Sequence, residues 1–447
     1  MQEILSALQL DRNSEVIGGE HYPSCFPVSE LASASIGAVG AAVAKLVRDL
    51  GYATSAPTPK VDGRLASLWF SMSLQPIGWD LPPIWDAVAG DYETKDGWIK
   101  LHTNLPHHRA AALSVLNVAY ERDKVTAAVR EWGANKLEAA IVDAGGVAAS
   151  MRTRAEWQAH PQGMAVAAEP LITWSENRGQ NIRQWTGTQT RPLNGLRVLD
   201  LTRVLAGPVA TRTLAGFGAD VLRIDPPNWD EANIVPDITL GKRCSFLSLD
   251  QPTDRTVFEK LLADADVLVH GYRPGALGGL GYGEAARRSI APSLIEVSLD
   301  AYGWTGPWAK RRGFDSLVQM SCGIADTGKQ WAGASKPTPL PVQALDFATG
   351  YLMAAAVVRA ITLAANGNGI RNARLSLART AELLLSHPQT SRGTLSKTPT
   401  PADFAAIIEN TPWGQAYRLR PPIQIEGTPM EWSRPACALG SETAQWL

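Results

Sequence analysis

The 447 residues carry 42 Lys+Arg against 43 Asp+Glu, a formal charge of -1, with 45% hydrophobic and 19% charged residues. That balance excludes an overall electrostatic footprint for nucleic acid or an anionic membrane and suits a globular chain of two or three domains. The four cysteines, Cys25, Cys244, Cys322 and Cys437, fall in no CxxC or Cys/His cluster, so neither a disulfide framework nor a metal site is expected.

From the N-terminus, MQEILSALQLDRNSEV lacks the basic segment and continuous apolar core of a signal peptide. The run IGAVGAAVAKLV is interrupted by Lys45 and is too short to span a bilayer, so a cytoplasmic chain without membrane contact is expected. GDYETKDGWIKLHTN predicts two short strands around a turn at residues 95–97. In LPHHRAA, His107 and His108 stand side by side in what reads as a solvated loop. DKVTAAVREWGANKLEAAIVDAGGVAAS predicts two amphipathic helices ending at Gly145 and Gly146. Residues 175–192 are polar, contain glycine and proline and show no periodicity, which reads as a linker.

Beyond it, LRVLDL predicts a buried strand, VATRTLAGFG a helix with its stop at Gly218, and ADVLRID the next strand, together a βαβ unit. DRTVFEKLLADA, DVLVHGY and SLIEVSLDAYG continue as helix, strand and strand. This alternation predicts an α/β fold with a doubly wound parallel sheet, whose ligands sit at the carboxyl ends of the strands. The first βα turn holds only Gly207, ahead of Pro208, so the G-x-G-x-x-G fingerprint of a dinucleotide site is missing. In VQALDFATGYLMAAAVV, Asp346 precedes a small-residue helix and reads, on its own, as an N-cap. FPVSELASASIGAVGAAVAKLV echoes LPVQALDFATGYLMAAAVVRAI with Glu30 where Asp346 stands, so residues 1–75 read as a partial repeat of the later helical region.

The segments LNGLRVLDLTRVLAGPVATRTLAGFGADVLRID, GKRCSFLSLD, ADVLVHGYRPGALGGLGYG, LIEVSLDAYGWTGPW, RRGFDSLVQMSCG and VQALDFATG occur in one order across residues 193–385. In that order they resemble the class III coenzyme A transferases, the family of formyl-CoA and carnitine CoA transferases and α-methylacyl-CoA racemase. Residues 76–174 are similar to the family's smaller α+β domain, which normally follows the nucleotide-binding half; here it precedes it, so the order looks permuted. The resemblance divides the chain into 1–75, the small domain 76–174, the linker 175–192, a Rossmann-like CoA-binding domain 193–390 and a C-terminal extension 391–447. It also implies a homodimer of interlocked chains, acyl-CoA and a carboxylic acid as partners, CoA thioester as substrate and no tightly bound cofactor.

By position, the resemblance implies that Asp346 is the catalytic nucleophile, kept ionised by the partial positive charge of a helix N-terminus. It places Arg203, Val204, Ala206, Arg223, Leu249, Tyr272, Arg273 and Arg312 along CoA, with Asp315 and Glu30 as secondary carboxylates. Two positions depart from the family pattern: Leu205 replaces a polar residue of the first loop, and Pro226 replaces a basic one. In the racemase branch a histidine stands where this chain has Phe314, and a phenyl ring moves no proton, so CoA transfer is favoured over racemisation. The remaining alternative is a CoA-binding subunit without catalysis.

Overall fold

The computed structural model describes residues 2–177, 182–387 and 393–447; the boundary expected at residues 390 and 391 lies outside them. In chain order, helix α1 (Val28–Asp49) precedes a small unit of three antiparallel strands, β1 (Gly90–Glu93), β2 (Trp98–Leu101) and β3 (Ala148–Ser150). Helices α2 (Pro106–Leu116), α3 (Arg122–Val129) and α4 (Ala134–Asp143) cover that sheet. Their apolar faces, with Ala112, Leu116, Val125, Val129, Leu137 and Ile141, close a separate core over Tyr92, Ile99 and Leu101.

The large unit contains β4 (Thr173–Asn177), β5 (Arg197–Leu201), α5 (Ala206–Gly216), β6 (Asp220–Asp225), β7 (Arg243–Phe246), α6 (Pro252–Ala263), β8 (Val267–His270) and β9 (Ile295–Asp300). It continues with α7 (Asp315–Ser321), α8 (Ala344–Ala365), β10 (Ile370–Ser376) and α9 (Leu377–Leu385). Its sheet has seven strands in the order β7-β6-β5-β8-β9-β10-β4, parallel except where β4 meets β10. The order reverses between β5 and β8, so the loops leaving these two strands flank the switch point where such sheets bind ligands. β4 corrects the linker expected from residue 175: Ser175 pairs with Asn372 inside the sheet. A polar edge strand shows no alternation because only part of it faces a core.

The long helices α1 and α8 lie against each other at the centre of the main core. Both run 22 residues, and both N-cap residues, Pro27 and Gln343, sit at φ -77°, ψ 64°, placing Glu30 and Asp346 at the third helical position. Each leads into a strand and a helix, Lys60–Asp62 and Gly63–Leu68 after α1, β10 and α9 after α8. Both are long and apolar enough to cross a membrane, which corrects the expectation that the first is too short, yet 83% and 94% of their apolar windows are buried inside the protein. Gly350 is required where α8 crosses α5: a Cβ there would stand 2.3 Å from the Ala206 carbonyl oxygen.

Candidate active site

The first turn of α8 leaves backbone N–H groups without partners inside the helix, and in this chain they are satisfied from another helix. Asp315, the first residue of α7, accepts hydrogen bonds through Oδ2 from the N–H of Leu345 at 2.9 Å and of Asp346 at 3.0 Å. Gln319, one turn along α7, donates its side-chain amide to Oδ1. Asp346 is therefore not the cap that its position suggests: the N-cap is Gln343, and no hydrogen bond from a described residue reaches the Asp346 carboxylate.

The two acids are buried, with Asp315 1% and Asp346 6% exposed. Burial pushes the Asp315 carboxyl up to about 6, against the lowering pull of Gln319 and the two amides. Burial, then the neighbouring Asp315, raises the Asp346 carboxyl well above the usual range. This corrects the expectation that the helix terminus keeps Asp346 ionised. Asp315 has taken the N–H groups that would stabilise the anion, and like charges in a desolvated site share a proton.

The wall beside the pair comes from the small unit. Val147 and Ala149 pack on Leu317 and Met320 of α7, with Trp98 and Phe314 at the margin. Arg311 donates to Glu138 at 2.7 Å, and Glu138 also holds Arg152 at 2.5 Å, fastening the two units together. His102, at the end of β2, lies flat on Phe314 with ring centroids 3.9 Å apart and planes 4° from parallel. His108 meets Phe314 edge-on at 6.1 Å and is 2% exposed. The solvated loop expected for His107 and His108 is instead the first turn of α2, because Pro106 suits the helix start and the amphipathic turn folds His108 inward.

At the switch point the loop leaving β5 is strained. Val204 sits at φ 64°, a backbone region costly for a β-branched residue, and its N–H donates to Glu231 Oε1 at 2.5 Å. Arg203 lies between aromatic faces, 4.3 Å from the Trp229 ring centre and 5.6 Å from that of Tyr272. Ala206 opens α5, and Leu249 packs at the edge of the cluster under α6. Arg223 is fully buried between Asp225 at 2.7 Å and Glu231 at 2.6 Å, so it presents no surface to a phosphate, contrary to expectation. Its place near a strand end concealed that Asp225 and Glu231 enclose it.

Arg273 and Arg312 differ from Arg223: neither has a carboxylate partner among the described residues, and burial and then the Arg273 charge lower the Arg312 guanidinium. Two such cations close enough to repel favour an anion between or beside them. Tyr272 and Arg273 also border a cavity of about 280 Å³ against β8, β9 and β10, to which neither Asp315 nor Asp346 contributes. Glu30, the counterpart of Asp346 in α1, has 43% of its side chain exposed and pairs with His21 Nδ1 at 3.2 Å. Glu30→Gln is expected to leave turnover within about three-fold of the native protein; a loss comparable to that from removing the Asp346 carboxylate would identify a second working site.

Sequence reasoning missed Glu231, Trp229, His102 and the inward turn of His108. The acid in PPNWDEAN, in the loop after the second strand of the βαβ unit, was the available signal for Glu231. No local signal exists for a histidine stacked across two units.

CoA-transferase family III matches residues 193–441. An acetyl-coenzyme A transferase of Hypoxylon pulicicidum is 34% identical over 208 residues, 45% of this chain and 34% of that protein. The succinyl-CoA:glutarate CoA-transferase of Mus musculus is 32% identical over 194 residues, 39% of this chain and 44% of that one. This chain therefore spans about a third to a half of the length of these curated relatives. A solved Mycobacterium tuberculosis structure aligns at 31% identity and a TM-score of 0.41, covering 44% of this chain and 56% of the other.

Proposed function

The chain belongs to CoA-transferase family III, and on that premise we propose that it moves CoA between an acyl-CoA and a free carboxylic acid through a covalent intermediate on Asp346. The observation that carries this reading is the buried Asp315–Asp346 pair. One acid serves the backbone of α8, which leaves the other without a structural task. A carboxyl held in an apolar wall without a bonding role is costly, and such groups concentrate at reactive sites.

Once deprotonated, a carboxylate oxygen of Asp346 attacks the thioester carbonyl; the C–S bond breaks, CoA leaves as thiolate, and an aspartyl-acyl anhydride remains. The thiolate then attacks the aspartyl carbonyl of the anhydride, giving an aspartyl-CoA thioester and the free acyl carboxylate. An acceptor carboxylate runs the two steps in reverse, so thioester is exchanged for thioester without net consumption of energy. The proton on the resting acid pair must leave first, and Arg273 and Arg312 take the CoA phosphates. The permuted order of the two units, a homodimeric assembly and a cytoplasmic setting belong to the same proposal.

A second reading, CoA binding without catalysis, is favoured by one feature. The Val204 N–H that could receive a developing oxyanion is already bonded to Glu231. Incubation with a panel of acyl-CoAs, quenching with hydroxylamine and peptide mass spectrometry separates the two. A hydroxamate on Asp346 is the expected result; CoA bound with no adduct from any donor would instead establish the binding subunit.

A further inference from the structure

Among the described residues, three ring nitrogens on the rings that flank Phe314 are buried without a hydrogen-bond partner: Nδ1 of His102 and both Nδ1 and Nε2 of His108. His102 is 7% and His108 2% exposed, so water does not satisfy them at the surface. An unmet buried polar atom is destabilising, and a phenyl ring in either place would fill the same space without that cost. Both imidazoles contact Phe314, and Phe314 directly precedes Asp315, whose carboxylate binds the N–H of Asp346. An acyl group held at Asp346 and directed toward Phe314 would approach these rings.

We propose that His102 and His108 form a hydrogen-bonding subsite for a neutral oxygen, a hydroxyl or keto group carried by the acyl chain beyond the thioester carbonyl. The assignment rests on the transferase reading above. Burial lowers the two imidazoles to about 4 and about 3, so at neutral pH each is uncharged, with one N–H donor and one acceptor nitrogen. A hydroxyl complements both kinds of group, and a ketone accepts from the N–H.

His102→Phe and His108→Phe keep the ring packing on Phe314 and remove the nitrogens. In each, the ratio of kcat/KM for 3-hydroxybutyryl-CoA and acetoacetyl-CoA over butyryl-CoA is expected to fall at least about ten-fold, the loss that follows when a site built to bond an oxygen can no longer do so. A ratio unchanged within about two-fold, or a native protein with no preference for the oxygenated donors, overturns the subsite. Binding is read separately on Asp346→Asn protein carrying ¹⁵N-labelled histidine. There 3-hydroxybutyryl-CoA should shift the ring ¹⁵N signals of His102 and His108, and butyryl-CoA should not. Equal shifts from both ligands, or none, overturn the proposal even if transfer occurs. Selective shifts together with no transfer by the native protein would leave the subsite standing and remove the transferase reading.

Discussion

Asp346→Asn is expected to abolish acyl transfer while making the protein more stable above about pH 6. A carboxamide cannot form the anhydride, so transfer should fall to background in the trapping assay. Stability should move the other way because the pair is a site of electrostatic cost. Burial raises Asp315 to about 6 from an ordinary 3.8, and Asp346 is raised further by burial and by Asp315. A carboxyl whose folded pKa is raised binds its proton more tightly in the folded state. Stability is therefore greatest below the unfolded value and falls as pH rises through the window up to the folded one. The neutral amide removes that fall for Asp346 and also takes away the like charge that raises Asp315. Thermal unfolding at pH 7.5 should show a Tm above native, and the difference should close as pH falls toward 4. Retained transfer, or a variant less stable than native at pH 7.5, would refute the assignment.

Asp237→Ala should be strongly destabilising, by about 3–5 kcal/mol, because it strands the buried Arg212 guanidinium and leaves Arg418 with Glu409 as its one carboxylate partner among the described residues. Asp237 bonds Arg212 Nη1 at 2.7 Å, Arg418 Nη1 at 3.2 Å and the Ser73 N–H at 2.9 Å, and its carboxylate also receives the Ser73 hydroxyl. Arg212 and Asp237 each have 1% of their side chain exposed. Burial alone would raise this carboxyl, but Arg212 and Arg418 override it and hold it below its ordinary value. Its contribution is thus present at neutral pH and lost as pH falls through its folded pKa. The network ties the segment after α1, helix α5 and the C-terminal strand Gly414–Arg418 into one body. Urea unfolding of the variant should show a lowered midpoint with little change in slope; a loss under about 1 kcal/mol would mean that water replaces the carboxylate. Arg212→Met together with Asp237→Ala should recover part of the loss, since one stranded charge goes with its partner.

Local chemistry made much of the large unit legible. β5, α5 and β6 follow from a β-branched run, a loop with Gly207 and Pro208, a helical spacing and the stop at Gly218, all within residues 195–225. Asp346 could be singled out because its surrounding motif is contiguous, and Arg273 and Arg312 because their positions match the family resemblance. What escaped depended on pairing across long separations. Ser175 joins a strand that begins at Ile370, Arg223 disappears between Asp225 and Glu231, and His102 meets Phe314 only when the small unit docks.

The sequence by itself determined the strands β5, β6, β8 and β9 with the helices α5 and α6 between them, and which carboxylate the motif singles out, because these depend on side-chain periodicity and turn residues a few positions apart. Only the tertiary structure decided the state of that carboxylate. Asp315 arrives from another helix, takes the N–H groups of α8 and raises the proton affinity of Asp346, and desolvation of this kind exists only once distant segments have excluded water together.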